Sequence, residues 1–269
     1  MKIKVNGLSY HVEVCGEGEP LLLLHGFTGS GGTWLPFCQK WGHHSKLICV
    51  DLPGHGKTDA PRSPERYSMQ NMILDLKAIL DELGVEKTNV LGYSMGGRIA
   101  LGFAITCPDR VGKLILESTS PGLATEAKRK ARRIKDSELA DFILDQGIES
   151  FVDYWQNIPL FKSLQEMPAH ARQAVREQRL ANSPAGLANS LIGIGTGAQP
   201  SYWDRLSEIN AEVLLIAGKL DEKFCGIAEK MSGRLQSSRI ELIDGAGHAI
   251  HVENPEKFGT IVSRFLTHT

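Results

Sequence analysis

No charge of one sign dominates this chain. Its 269 residues carry 30 Lys and Arg against 31 Asp and Glu, a formal net charge of −1. That balance argues against nucleic acid or an anionic membrane surface as the main partner. Apolar runs of the ~20 residues needed to span a bilayer are missing, so no stable membrane association is expected. The start, Met1-Lys2-Ile3-Lys4-Val5-Asn6, lacks the apolar core of a signal peptide. A soluble, cytoplasmic protein is expected. Five cysteines (Cys15, Cys38, Cys49, Cys107 and Cys225) are odd in number, far apart and outside any C-x-x-C pattern. They predict free thiols in a reducing compartment, with no disulfide frame and no thiolate metal site. Histidines at the H-x-x-x-H spacing of zinc sites are also absent, and no metal or other cofactor is expected. Repeats and low-complexity linkers are lacking too, which predicts one domain over residues 1–269. A monomer or a small homo-oligomer is equally compatible with the sequence.

What is present reads as alternating strands and helices. Residues 2–14 alternate around Asn6-Gly7 like a hairpin. Leu21 to Leu24 is a continuous apolar run between Pro20 and Gly26, as in a strand buried on both faces. Further strands are expected at 47–50, 88–91, 111–116, 213–217 and 240–243. Residues 68–83 have the apolar spacing of an amphipathic helix, stopped by Gly84. The pattern predicts an α/β fold with a mostly parallel central sheet flanked by helices. Between Glu117 and Val213 the interval far exceeds the dozen or so residues of a simple crossover. Helical segments at 126–135, 137–144, 148–155, 170–181 and 186–192 predict an inserted helical lid over about 122–205.

One stretch organises the chemistry. Leu91-Gly92-Tyr93-Ser94-Met95-Gly96-Gly97-Arg98 places G-x-S-x-G between a strand and a helix, the elbow that strains a backbone to push a serine hydroxyl into an open site. Met95 begins the helix, so its N–H lies at the positive end of the helix dipole, half of an oxyanion hole. His25-Gly26-Phe27 follows the Leu run, and the Phe27 N–H is the candidate second donor. Asp51 to Thr58 ends in Gly-Lys-Thr, but the phosphate-loop motif needs glycine at position 51, which is Asp. The nucleotide reading is rejected, and Asp51 is given a structural role.

Ser94, Asp221 and His248 each follow a core strand, in the order nucleophile, acid, histidine. Loops at the carboxyl ends of parallel strands gather on one sheet edge, where the three can meet. His248 would take the serine proton, and Asp221 would fix and stabilise the imidazole. His25, His55 and His251 are rival bases, and Glu222 and Asp244 are weaker acids. Only His248 lies in a Gly-rich loop after the last strand.

With His25-Gly26-Phe27, Asp51-Leu52-Pro53-Gly54-His55-Gly56, Gly92 to Gly97, Asp221 and Gly247-His248 in place, the chain resembles the α/β-hydrolase superfamily along nearly its whole length. Serine at 94 argues against its haloalkane dehalogenase and epoxide hydrolase branches, which use an acid there.

The lid bears on substrate. Lys128 to Lys135 holds six basic residues in eight positions, and Arg98 stands one helical turn beyond Ser94. Arginines near the serine favour a small-molecule polycarboxylate through bidentate contacts. A solvated charged face is the plain alternative for the basic run. Ser120 to Leu123, Arg129, Arg132, Asp136, Tyr154-Trp155, Pro159 to Phe161, Gly186 to Leu191 and Gly197 to Pro200 resemble the 2-succinyl-6-hydroxy-2,4-cyclohexadiene-1-carboxylate synthase family of menaquinone biosynthesis, which are pyruvate-eliminating lyases. The resemblance implies that Arg98, Arg132 and Arg179 grip carboxylates, with Arg172 and Arg176 as rivals for the last. It also implies that Tyr93 and Trp155 line the pocket. A serine hydrolase of esters or carbon–carbon bonds and a non-catalytic binding module on the same fold stay open.

Overall fold

The computed structural model describes residues 1–268. The described strands are β1 (Lys2–Val5), β2 (Leu8–Cys15), β3 (Glu19–Leu24), β4 (Ser45–Val50), β5 (Thr88–Tyr93), β6 (Val111–Glu117), β7 (Glu212–Gly218) and β8 (Ser238–Ile243). They join one sheet in the order β1-β2-β4-β3-β5-β6-β7-β8. The β1–β2 and β2–β4 pairs are antiparallel, and every pairing from β4 to β8 is parallel. Asn6 and Gly7 both take positive φ (47° and 81°), the conformation a two-residue hairpin turn requires.

Helices cover both faces: α1 (Cys38–Trp41), α2 (Met69–Glu82), α3 (Met95–Thr106), α4 (Glu126–Trp155), α5 (Ala169–Leu180), α6 (Pro184–Ile194), α7 (Glu222–Ser232), α8 (Ile250–Glu253) and α9 (Pro255–Thr267). The Leu run explains the two-sided core. Leu22 and Leu24 join the apolar cluster beneath α2 and α3, while Leu21 and Leu23 join Trp34, Trp41 and Phe258 on the other face. All four leucines are fully buried. At about 1.5–3 kcal/mol per buried side chain, this strand anchors the sheet.

Between β6 and β7 the chain leaves the sheet for α4, α5 and α6, where α4 and α6 share a small core of Ile143, Phe151, Leu187 and Leu191. Two of the expected helices, 126–135 and 137–144, are a single run. Asp136 does not break it, because its carboxylate is buried and accepts from Arg132 Nε one turn away at 2.7 Å. The break comes at Gly147, whose φ of 77° is open to glycine without strain.

The cysteine expectation is corrected. Cys15 and Cys38 form a disulfide, with Cα atoms 6.2 Å apart; Cys49, Cys107 and Cys225 are free. The end of β2 and the start of α1 meet only in the folded chain, so a 23-residue separation with no local motif hid the pair. Among the described residues, no helix is long and apolar enough to cross a membrane.

Candidate active site

The elbow is built from backbone crowding. A Cβ on Gly92 would collide with the Gly96 carbonyl, and one on Gly96 with the Leu24 carbonyl. Between them Ser94 is held at φ 49°, ψ −104°, and its N–H donates to the Glu117 carbonyl at 2.9 Å. A non-glycine residue keeps such a conformation only where its surroundings over-determine it.

Ser94 is met by the two residues expected to reach it. Its Oγ lies 3.0 Å from His248 Nε2, and His248 Nδ1 lies 2.7 Å from Asp221 Oδ2. An Nδ1–H that donates to Asp221 leaves Nε2 free to accept the Ser94 proton. Asp221 also caps α7, accepting from the Phe224 N–H at 3.3 Å. His248 is pinned from both sides by Glu253, whose carboxylate accepts from the Gly247 N–H at 2.6 Å and the Ala249 N–H at 3.0 Å.

The rival histidines have other occupations. His25 is fully buried, donating from Nδ1 to the Gly26 carbonyl (2.8 Å) and accepting at Nε2 from the Leu52 N–H (3.0 Å). Burial pushes its pKa down to about 4. His55 donates to the Pro53 carbonyl at 3.0 Å, and burial beside His25 takes its pKa to about 3. His251 is bound to Glu117, 2.9 Å from each carboxylate oxygen. Asp51 has its structural role, accepting from the N–H groups of Gly31 (2.6 Å) and Lys57 (2.8 Å).

Above Ser94 opens a cavity of about 460 Å³. Phe27, Tyr93, Met95, Arg98, Arg132, Trp155 and His248 line it. The N–H groups of Phe27 and Met95 donate to no other group among the described residues, and so are free for a ligand oxygen. Tyr93 is a buried wall; desolvation, then the nearby Glu117, holds its hydroxyl far above the usual range. Arg98 is buried and donates to the Ile194 carbonyl at 2.7 Å and to Gln199 Oε1 at 2.5 Å. Burial, then the neighbouring Arg132, lowers its pKa to about 10, so it stays cationic at neutral pH.

Arg179 stands apart from this cavity. Its guanidinium lies 4.6 Å over the Phe161 ring and borders a separate cavity of about 270 Å³, together with Arg172 and Arg176. The face that α5 turns toward Phe161 is a matter of tertiary docking, which helix periodicity does not report. Conversely, Lys223 and Lys230, which the sequence reading does not name, line the Ser94 cavity beside Lys128 of the basic run, and no Asp or Glu lines it. The Lys223–Lys230 spacing of two helical turns just after Asp221 was the signal available. Ser118 Oγ and Trp155 Nε1, both in the lining, are buried without a protein partner.

The family described as alpha/beta hydrolase fold matches residues 19–255. The chain belongs to the α/β-hydrolase fold family. Within that family it is similar to a Bacillus subtilis protein provisionally named 2-succinyl-6-hydroxy-2,4-cyclohexadiene-1-carboxylate synthase, at 50% identity over 97% of this chain and 96% of the relative. A Photorhabdus laumondii protein named as the same synthase is 31% identical over 92% of this chain and 85% of its own length. Among solved α/β-hydrolase structures, MenH from S. aureus superposes with a TM-score of 0.91 at 39% identity, covering 95% of this chain and 97% of that one.

Proposed function

We propose that this enzyme is a 2-succinyl-6-hydroxy-2,4-cyclohexadiene-1-carboxylate synthase, eliminating pyruvate from 2-succinyl-5-enolpyruvyl-6-hydroxy-3-cyclohexene-1-carboxylate in menaquinone biosynthesis. The observation that carries this reading is the cavity over Ser94, which is lined by five cations and no acid. Such a wall suits a polycarboxylate and serves a neutral ester poorly. The names of the relatives point to the same reaction.

In this reading Ser94, His248 and Asp221 act as a base assembly. His248 Nε2 takes the Ser94 proton, and Ser94 Oγ removes the ring proton acidified by the succinyl ketone. The C–H electrons move into the ketone as an enolate and then through the ring double bond. The C–O bond to the enolpyruvyl group breaks, pyruvate leaves as its enolate and the imidazolium returns a proton. The Phe27 and Met95 N–H groups hold the ketone oxygen as it gains charge. Arg98 and Arg132 bind carboxylates, Tyr93 and Trp155 shape the pocket, and α4 and α6 serve as its lid. No acyl-enzyme forms, and no metal or redox group enters the step.

The test is pyruvate release from freshly generated substrate, with wild type and Ser94→Ala side by side. Acceleration far above the spontaneous rate, lost in Ser94→Ala, is the expected outcome. No acceleration, together with rapid p-nitrophenyl ester turnover, would make Ser94 a hydrolytic nucleophile instead.

A further inference from the structure

Three cations of the cavity lie at its exposed mouth. Lys128 comes from the first turn of α4, and Lys223 and Lys230 come from α7. Seven residues separate the α7 lysines, which places them on one helix face about 10 Å apart along the axis. Charged residues on a helix surface are ordinarily balanced by neighbours at i±3 or i±4. Elsewhere in the chain such balancing occurs: Arg129 pairs with Glu126, Arg132 with Asp136, and Arg205 with Glu208. None of the three mouth lysines makes an ion pair among the described residues, and the Lys223 ammonium lies only over the Phe224 ring, 5.3 Å from its centroid. Phe224 in turn packs on His248, with ring centroids 4.6 Å apart, so the α7 lysines begin where the reacting groups end.

Deeper in, Arg98 and Arg132 are already engaged, Arg98 by Ile194 and Gln199 and Arg132 by Asp136. They form one anion pole. With Arg179 behind Phe161, a ligand carrying a third carboxylate meets its charge only at the mouth. We infer that Lys223 and Lys230 are specificity-determining residues, forming a second anion pole on α7 that selects tricarboxylates over dicarboxylates. This rests on the polycarboxylate reading of the cavity. Exposed lysines add little energy each in water, but two unpaired ones beside a low-dielectric wall with no acid raise the local concentration of anions and fix which end of the ligand faces out.

The test reads binding without turnover, so a failure of the synthase reading would not touch it. Trp155 and Trp203 line the cavity and supply a fluorescence signal. Butane-1,2,4-tricarboxylate and adipate (butane-1,4-dicarboxylate) share a carbon chain and differ by one carboxylate. Each is titrated into wild type, into Lys223→Gln/Lys230→Gln and into the charge-matched Lys130→Gln/Lys135→Gln, whose lysines lie outside the lining. We expect the wild type to prefer the tricarboxylate by about tenfold at low salt. The α7 double variant should lose that preference and its salt dependence, and the charge-matched variant should keep both. Equal binding in the wild type, no measurable binding of either, or an undiminished preference in the α7 variant would each overturn the proposal.

Discussion

Two histidine–carboxylate pairs lie three residues apart at the end of the sheet, built from the same parts. His248 places Nδ1 2.7 Å from Asp221, and His251 places Nδ1 2.9 Å from both oxygens of Glu117. The Tyr93 ring stands between them, 5.5 Å from one imidazole and 4.6 Å from the other. The difference is what lies beyond the ring. His248 Nε2 meets the Ser94 hydroxyl under an open cavity, whereas His251 is packed against Trp34 and Phe258. Glu117 is also the strand-end residue whose carbonyl accepts the Ser94 N–H, and its carboxylate accepts the His251 N–H. One pair reaches the serine hydroxyl below the cavity; the other ties α8 to β6. A histidine with a carboxylate behind it therefore implies chemistry only where its second nitrogen reaches a reacting group.

Removing each imidazole in turn separates the two pairs. His248→Leu should cut kcat/KM for pyruvate release about 1,000-fold, the loss of a positioned general base and more, while shifting stability by less than ~1 kcal/mol. His251→Leu should do the reverse. It strands the Glu117 carboxylate in the core, lowers the unfolding free energy by about 3 kcal/mol, and leaves kcat of the folded fraction within about threefold. Urea melts and single-substrate kinetics on both variants read the four numbers. Equal activity losses would mean that both pairs serve the reaction. Next in size is Arg98→Ala, expected to raise KM and reduce kcat/KM about 100-fold through loss of a carboxylate contact. Wild-type kinetics there would remove the clamp and leave Arg98 a tie between α3 and the lid.

The imidazoles sealed in the core make stability depend on pH. His25 and His55 have folded pKa values of about 4 and about 3, below the ordinary 6.5, because burial penalises the charged ring. Protons then bind the unfolded chain more readily. Stability is full above pH 6.5 and falls as the pH drops through the window from 6.5 toward 4. At 1.36 kcal/mol per unit, His25 alone removes about 3 kcal/mol by pH 4. Urea midpoints between pH 7.5 and 4.5 should fall in wild type and fall less in His25→Gln. A flat wild-type profile would contradict the burial of both rings.

Much of this was legible in the sequence where the cause is local. The strand that buries Leu21 to Leu24, the glycines that let the Ser94 elbow close, and the trio following β5, β7 and β8 all follow from short-range rules about backbone and sheet edges. What escaped reading is non-local. Cys15 and Cys38 pair because β2 and α1 meet, and nothing in their spacing says so. Glu117 and Glu253 are ordinary acids in the sequence, since their partners are brought by the fold. Arg179 sits on a legible helix, but its direction is set by how α5 docks on Phe161. The α7 lysines have a legible spacing, but that their face borders the Ser94 cavity is set by how α7 packs.

The smallest expected effect concerns the clamp that joins the two pairs. Glu253 stands at the end of α8, two residues beyond His251, and its two oxygens accept from the N–H groups on either side of His248. Hydrogen bonds to a charged acceptor are worth about 1.5–3 kcal/mol each, more than neutral ones. Glu253→Gln keeps the shape, but turns one acceptor into a donor facing an N–H. The His248 loop should then loosen without losing its imidazole. We expect kcat to fall about five- to tenfold with KM nearly unchanged, as for a misplacement of the base that substrate contacts do not sense. Glu253→Asp, which keeps the charge but is too short to reach both N–H groups, should fall between wild type and Gln. If KM rises in step with the loss of kcat, the clamp acts on the pocket wall and not on His248.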